Sequence, residues 1–214
     1  MTPQADFVQP PRLAVWLVNL FTPADAAESI LGDLLEEFSR LASKSGVAVA
    51  RSWYWRQTVK TIPQVAGAGF RAAPWSTTAA VIGGLLLLRF VPHLLETAIF
   101  AVLHRYRVFE YHFNAYVFFA TDGIAIGHVI ASLFVGCIVA LAAKGREMVA
   151  TIALSLILCL MAGVGYLAWV ARHWPMDDAM AWMLWNCADL FAIVVGGAIV
   201  RMRRSATTPR PSDA

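Results

Sequence analysis

The spacing of apolar residues changes character near residue 75. Ahead of that point hydrophobic positions recur every three or four residues with charges between them, and beyond it they merge into long runs. The first pattern predicts amphipathic helices, the second helices that are apolar all round. Leu13, Trp16, Leu17 and Leu20 share one face of a helix that Pro10 and Pro11 open and that runs to about Phe21. Thr22 then suits an N-cap, Pro23 the first helical position, and Asp25 sets a negative charge on the positive end of the dipole. Ala27, Ile30, Leu31, Leu34, Phe38 and Leu41 make the apolar stripe of this second helix, and Gly46 supplies its stop. Glu36, Arg40 and Lys44 lie four apart on its polar side. Gly32 sits in mid-helix, where glycine costs about 1 kcal/mol against alanine, so a close helix crossing is expected there.

The segment RSWYWRQTVKTIP, 51–63, interleaves cations with aromatic rings. Ala48, Ser52, Trp55, Val59 and Ile62 recur at steps of four and three and define the face expected to pack on the second helix. Trp53, Arg56 and Lys60 lie around from that face. Rings beside cations suit lipid headgroups or a protein partner, which makes Trp53, Trp55, Arg56 and Lys60 the candidate docking residues. Nucleic acid is not the expected partner, because Glu28, Asp33, Glu36 and Glu37 lie nearby and the net charge is only +3.

A window of about 19 residues moved along the second half finds four transmembrane candidates: 77–103, 123–143, 148–171 and 179–200. Composition agrees, since 59% of the 214 residues are hydrophobic and 14% charged, against roughly 25% charged in soluble domains. Lys and Arg set the orientation. Arg12, Arg40, Lys44, Arg51, Arg56, Lys60 and Arg71 precede the first span, Lys144 and Arg146 lie between the second and third, and Arg201, Arg203, Arg204 and Arg210 follow the fourth. Only Arg105, Arg107 and Arg172 fall on the other side, so both termini are expected in the cytoplasm. The amino end lacks the basic start of a secretory signal and is expected to stay on the mature chain. Cys137, Cys159 and Cys187 fall in three different apolar runs, which offers neither a disulfide framework nor a CxxC pair.

Taken together, PPRLAVWLVNLFTPADAAESILGDLLEEF and ARSWYWRQ resemble the permease prefix domain 2 of bacterial MacB-like ABC-transporter permeases. The likeness covers 10–60 and rests on the PPR start, the LF-x-P joint, the ILGDLLEEF helix and the WYWRQ segment. It implies a small helical cytoplasmic module ahead of a membrane domain in the bacterial inner membrane, and it carries over no catalytic residues. Full-length permeases of that family continue into a large extracytoplasmic domain and further spans, whereas four spans and a short tail are expected here. The sequence holds no GxxxxGK[ST] phosphate loop, so it is not read as the ATPase.

Ionisable groups inside spans are candidate functional residues, because a charge at the bilayer centre costs at least about 2.5 kcal/mol. Arg89, His93 and Glu96 follow one another at steps of four and three on the first span, His128 lies on the second and Asp189 on the fourth. At about 1.5 Å per residue Arg89 and Asp189 come to similar heights, which predicts a contact between them, with His93 and His128 close by. The reading is a buried ion pair that fixes helix register, or else a relay for protons or substrate. His93 and Glu96 with His128 make too thin a set for a metal or haem site, and no metal or cofactor is expected. Small residues predict where backbones approach closely: Gly123, Gly127 and Ala131 on the second span, Gly163 and Gly165 on the third, and Gly196 and Gly197 on the fourth. The outer loop, 104–122, is crowded with Tyr and Phe and suits a helix or loop at the membrane interface.

The expected architecture is an all-α membrane protein, with a three-helix cytoplasmic N-terminal domain over 1–64, a flexible linker over 65–75, a four-helix transmembrane bundle over 76–204 and a disordered cytoplasmic tail over 205–214. The expected function is a non-enzymatic accessory or regulatory protein of the inner membrane, which contacts lipid and docks a protein partner, either an ABC-permease system or its own copy. The alternative is a small proton-coupled or lipid-handling transporter built on the intramembrane Arg, His and Asp residues.

Overall fold

The computed structural model describes residues 9–22, 24–171 and 177–207. The described residues are helical throughout, without strands. They fall into two compact units, 1–74 and 75–214.

The first unit holds α1 (Arg12–Phe21), α2 (Ala24–Ser45) and α3 (Val47–Ala72). Gly46, at φ 89°, lets α2 stop and α3 start within a single residue, a conformation that a side chain would strain. Pro23 lies outside the described residues, so its place at the start of α2 is not on view. Ala14 and Val18 of α1, Leu34 and Phe38 of α2, and Ala50 and Tyr54 of α3 form one core. The rings of Phe38 and Tyr54 meet edge to face at 5.8 Å. The Tyr54 hydroxyl is buried without a hydrogen-bond partner among the described residues, and burial pushes the phenol above its ordinary pKa. Thr58 is also buried, but its hydroxyl donates to the Tyr54 carbonyl at 3.0 Å.

Four expectations for this unit need correction. On α1 the buried residues are Ala14, Val18 and Leu20, whereas Leu13 and Trp16 of the expected face are exposed. The face of α3 turned inward is Ala50, Tyr54 and Thr58 with Trp53 beside it, whereas Ala48, Ser52, Trp55 and Val59 are exposed. Burying Tyr54 with much of Trp53 removes more apolar surface than a face that includes Ser52. Gly32 is no crossing point: it is exposed, and a Cβ there would meet nothing within 4 Å. The linker over 65–75 is mostly helical, because α3 continues to Ala72. The break falls at Ala73, which adopts φ −150°, and Pro74 follows it, as expected of the residue ahead of a proline.

The second unit holds α4 (Pro74–Arg105), α5 (Val108–Tyr111), α6 (Phe113–Phe118), a π-helical turn (Phe119–Gly123), α7 (Ile124–Ala142), α8 (Glu147–Ala171) and α9 (Asp177–Thr207). Four stretches are long and apolar enough to cross a membrane: Pro74–Arg105, Phe113–Ala142, Glu147–Ala168 and Met180–Arg204. At about 1.5 Å per residue each exceeds a hydrocarbon core about 30 Å thick. The chain is thus a membrane protein with transmembrane helices.

Its centre is where α7, α8 and α9 meet, around Val135, Val139, Leu154 and Ile193, with Ala80 and Val81 of α4 packed on them. Two glycines set the approach of α7 to α9. A Cβ added at Gly136 would fall 2.8 Å from Ile193 Cα, and one at Gly196 would fall 2.9 Å from the Cys137 nitrogen. Gly197 does the same toward α8, where a Cβ would lie 2.7 Å from Thr151 Cγ2. Gly127 faces the end of the Leu95 side chain on α4. Gly123 meets only its own preceding turn at Phe119, and Gly163 and Gly165 meet nothing, so these three do not mark helix crossings. The buried face of α7 holds Ala131, Val135 and Val139 together with Ser132, Gly136 and Ala140, so Ala131 of the expected series lies inside and the closest approach falls at Gly136.

The loop over 104–122, expected on the outer side, is mostly helical. Arg107, at φ 50°, turns the chain after α4, and α5, α6 and the π-helical turn lead directly into α7. Phe109 stacks edge to face on Phe113 and Tyr116 at 5.5 and 5.2 Å, so its aromatics cluster with one another. At the far end α9 extends to Thr207, into the expected tail, of which 208–214 lie outside the described residues, as does Arg172.

Candidate functional site in the membrane helices

Two groups of polar residues stand out within the apolar bundle. The first joins three helices around a groove of about 220 Å³ lined by residues of α4, α7, α8 and α9. His128 and Ser132 lie one turn apart on α7, which points both side chains the same way. Ser132 donates to Asp189 Oδ1 on α9 at 3.0 Å. His128 Nε2 lies 3.0 Å from Glu96 Oε1 on α4. Glu96 Oε2 in turn lies 4.0 Å from His93 Nδ1, one turn earlier on α4. Asn186, a further lining residue, donates to the Trp182 carbonyl within α9. The groove walls are otherwise apolar, with Leu88, Pro92, Leu158 and Ile193 among them.

Three of the five sequence candidates for this region, His93, Glu96 and His128, therefore form one chain of contacts, and a fourth, Asp189, pairs with Ser132, so the expected pair is not formed. Among the described residues no ion pair joins Arg89 to Asp189. Asp189 instead takes the Ser132 hydroxyl. Equal height along the bundle is not equal azimuth: α4 buries Ala80, Val81, Gly84 and Pro92, and Arg89 lies off that face, exposed. Glu96 meets His128 rather than serving mainly as a partner of His93, whose side chain is 70% exposed. Chemically, the Glu96–His128 contact can share or pass a proton between α4 and α7, and Asp189 can accept hydrogen bonds from a polar guest in the groove. Among the described residues no three of His, Cys, Asp and Glu lie close enough to hold a metal ion.

The second group was not anticipated from sequence. Glu147, in the first turn of α8, is 2% exposed and receives both Arg204 and Arg201 of α9. Arg204 donates to Glu147 Oε1, the Gly145 amide donates to the same oxygen at 3.0 Å, and Arg201 Nη1 lies 3.8 Å from Oε2. Arg204 also donates to the Leu141 carbonyl in the last turn of α7 at 3.3 Å. In sequence Arg201 and Arg204 stand only among the cations that set orientation, and Glu147 is not singled out. The turn ahead of Glu147, with Gly145 at φ 77°, places the Gly145 amide against the Glu147 carboxylate.

The docking candidates of the first unit divide. Trp55, Arg56 and Lys60 are exposed on α3, whereas Trp53 packs against the core and meets Tyr54 edge to face at 6.4 Å. Arg51 is exposed beside them. No family model, no curated protein and no solved structure matches this chain.

Proposed function

We propose that this chain is a non-enzymatic accessory protein of the bacterial inner membrane, whose three-helix cytoplasmic N-terminal domain docks a protein partner such as an ABC-permease system. The observation that carries the reading is the uncovered face of α3. Trp55 is 38% and Val59 66% exposed, and Arg51, Arg56 and Lys60 are exposed around them without an ion pair among the described residues. Apolar side chains ringed by unpaired cations match the make-up of a docking surface for an acidic partner. The resemblance of 10–60 to a permease prefix module and the excess of Lys and Arg on one side of the spans support the same placement, with both termini in the cytoplasm.

The test is purification of the tagged chain from its native membrane in mild detergent, with mass spectrometry of what remains bound. A Trp55, Arg56 and Lys60 triple alanine variant runs beside it, with Trp53 left intact because it belongs to the core. Recovery of a permease subunit with the native chain and its loss with the variant supports docking. Recovery of the chain alone refutes it.

A second reading is favoured by the groove. His128, Ser132 and Asp189 line it, with Glu96 in contact with His128, which suits a small proton-coupled or lipid-handling transporter. On this reading Asp189→Asn abolishes transport while leaving the amount of protein near normal. Loss of the protein itself assigns the pair to structure.

A further inference from the structure

We infer that the face of α4 carrying Arg89 is an interface within the membrane for a partner protein that presents a carboxylate from one of its own spans. Arg89 stands at the midpoint of the 32-residue α4. It is thus more than about 20 Å from either end at about 1.5 Å per residue. Snorkelling to the headgroups serves cations near helix ends, and an unpaired charge at mid-depth is strongly disfavoured. Yet Arg89 is exposed, and it makes no hydrogen bond or ion pair with any described residue. Around it Ile82, Leu86 and Phe90 are 52, 54 and 61% exposed, so the cation sits in an apolar surface wide enough for another helix.

Charge complementarity selects the occupant. Of the described carboxylates along the spans, Glu96 is engaged by His128, Asp189 by Ser132 and Glu147 by Arg204. A second copy related by a twofold axis along the membrane normal would set Arg89 against Arg89, like against like. A foreign span with Asp or Glu at the same depth neutralises the guanidinium and covers Leu86 and Phe90 together. This interface is separate from the docking face on α3 and stands whether or not that face binds anything.

The test places the full-length chain, donor-labelled, in phosphatidylcholine vesicles with an acceptor-labelled host peptide. The peptide is a single leucine and alanine span with one central Asp, and the controls carry Asn or Leu at that site. The Asp peptide should associate about tenfold more tightly than the Asn peptide. Arg89→Gln should abolish the preference and Arg89→Lys should keep it, with helical content by circular dichroism confirming that both variants stay folded. In the native membrane, a photoreactive residue at Phe90 should form an adduct with a protein whose span carries Asp or Glu, and Arg89→Gln should remove that adduct. Equal binding of the three peptides, a preference that survives Arg89→Gln, an adduct only with a second copy of the chain, or adducts with lipid alone would each overturn the inference.

Discussion

Replacing Glu147 by alanine should cost the membrane bundle about 3 kcal/mol. The side chain is 2% exposed and its partner Arg201 7%, so the substitution takes the carboxylate away from a buried guanidinium in a site from which water is largely excluded. Breaking a buried pair from one side typically costs about 3 to 5 kcal/mol. Arg204 moderates the loss, because its side chain is 35% exposed and keeps the Leu141 carbonyl as an acceptor. The Gly145 amide loses its acceptor as well, worth about 1 kcal/mol. Unfolding of the purified chain in rising proportions of dodecyl sulfate, followed by circular dichroism, reads the difference directly. Arg204→Ala should cost only about 1 kcal/mol, in keeping with its exposure. A Glu147→Leu, Arg201→Leu double variant should recover most of what Glu147→Ala loses, since apolar replacement of both partners removes both buried charges. A Glu147→Ala loss below about 0.5 kcal/mol would refute the view that this cluster holds the helix ends together.

The same assay checks the other expectations. Gly136→Ala should destabilise by about 1 to 3 kcal/mol, because its Cβ would press on Ile193 backbone, whereas Gly32→Ala, facing open space, should stabilise by up to about 1 kcal/mol. Trp53→Ala should lower stability by about 1 to 2 kcal/mol and Trp55→Ala by less than about 0.5 kcal/mol, which distinguishes the two faces of α3. Tyr54→Phe should stabilise the first unit by about 1 kcal/mol at neutral pH, since it deletes a buried hydroxyl without a partner among the described residues. Because burial raises the Tyr54 pKa, the contribution of its protonated form is complete below the ordinary value near 10 and is lost as pH rises through the higher folded value. Alkaline unfolding should therefore begin earlier in the native chain than in Tyr54→Phe.

The spans were legible because a run of about 20 apolar residues has few alternatives to a membrane helix. Helix azimuth was not, and it accounts for most of the corrections. On α3 aromatic side chains occupy adjacent residues, so two apolar stripes compete, and only packing against Phe38 selects the one through Tyr54. On α7 two adjacent stripes are both buried, that of Ala131 and Val135 and that of Ser132, Gly136 and Ala140, and only packing on Ile193 shows that the close crossing falls at Gly136. For Arg89 and Asp189, rise per residue constrained height but left rotation free, and the cation faces outward. Glu147 was hidden for a different reason: an acid in a first turn is common at surfaces, and nothing local marks one that two arginines some 54 to 57 positions away enclose.

Where the helices are fastened determines which part of the bundle has room to swing. Gly196 and Gly197 hold α9 hard against α7 and α8, and the Glu147 cluster clamps its C-terminal end. Toward its other end the residues of α9 are largely uncovered, Met180 and Leu184 at 73 and 65%, with the Tyr166 and Trp182 rings stacked at 6.4 Å as a lateral tie to α8. The helix is therefore a lever with its fulcrum near Gly196. Asp189 lies about 10 Å along the arm and Trp182 about 21 Å. A tilt of α9 too small to disturb the glycine contacts would widen the groove at Asp189 and be doubled in amplitude at Trp182, so the stacked ring pair is where opening would be easiest to read.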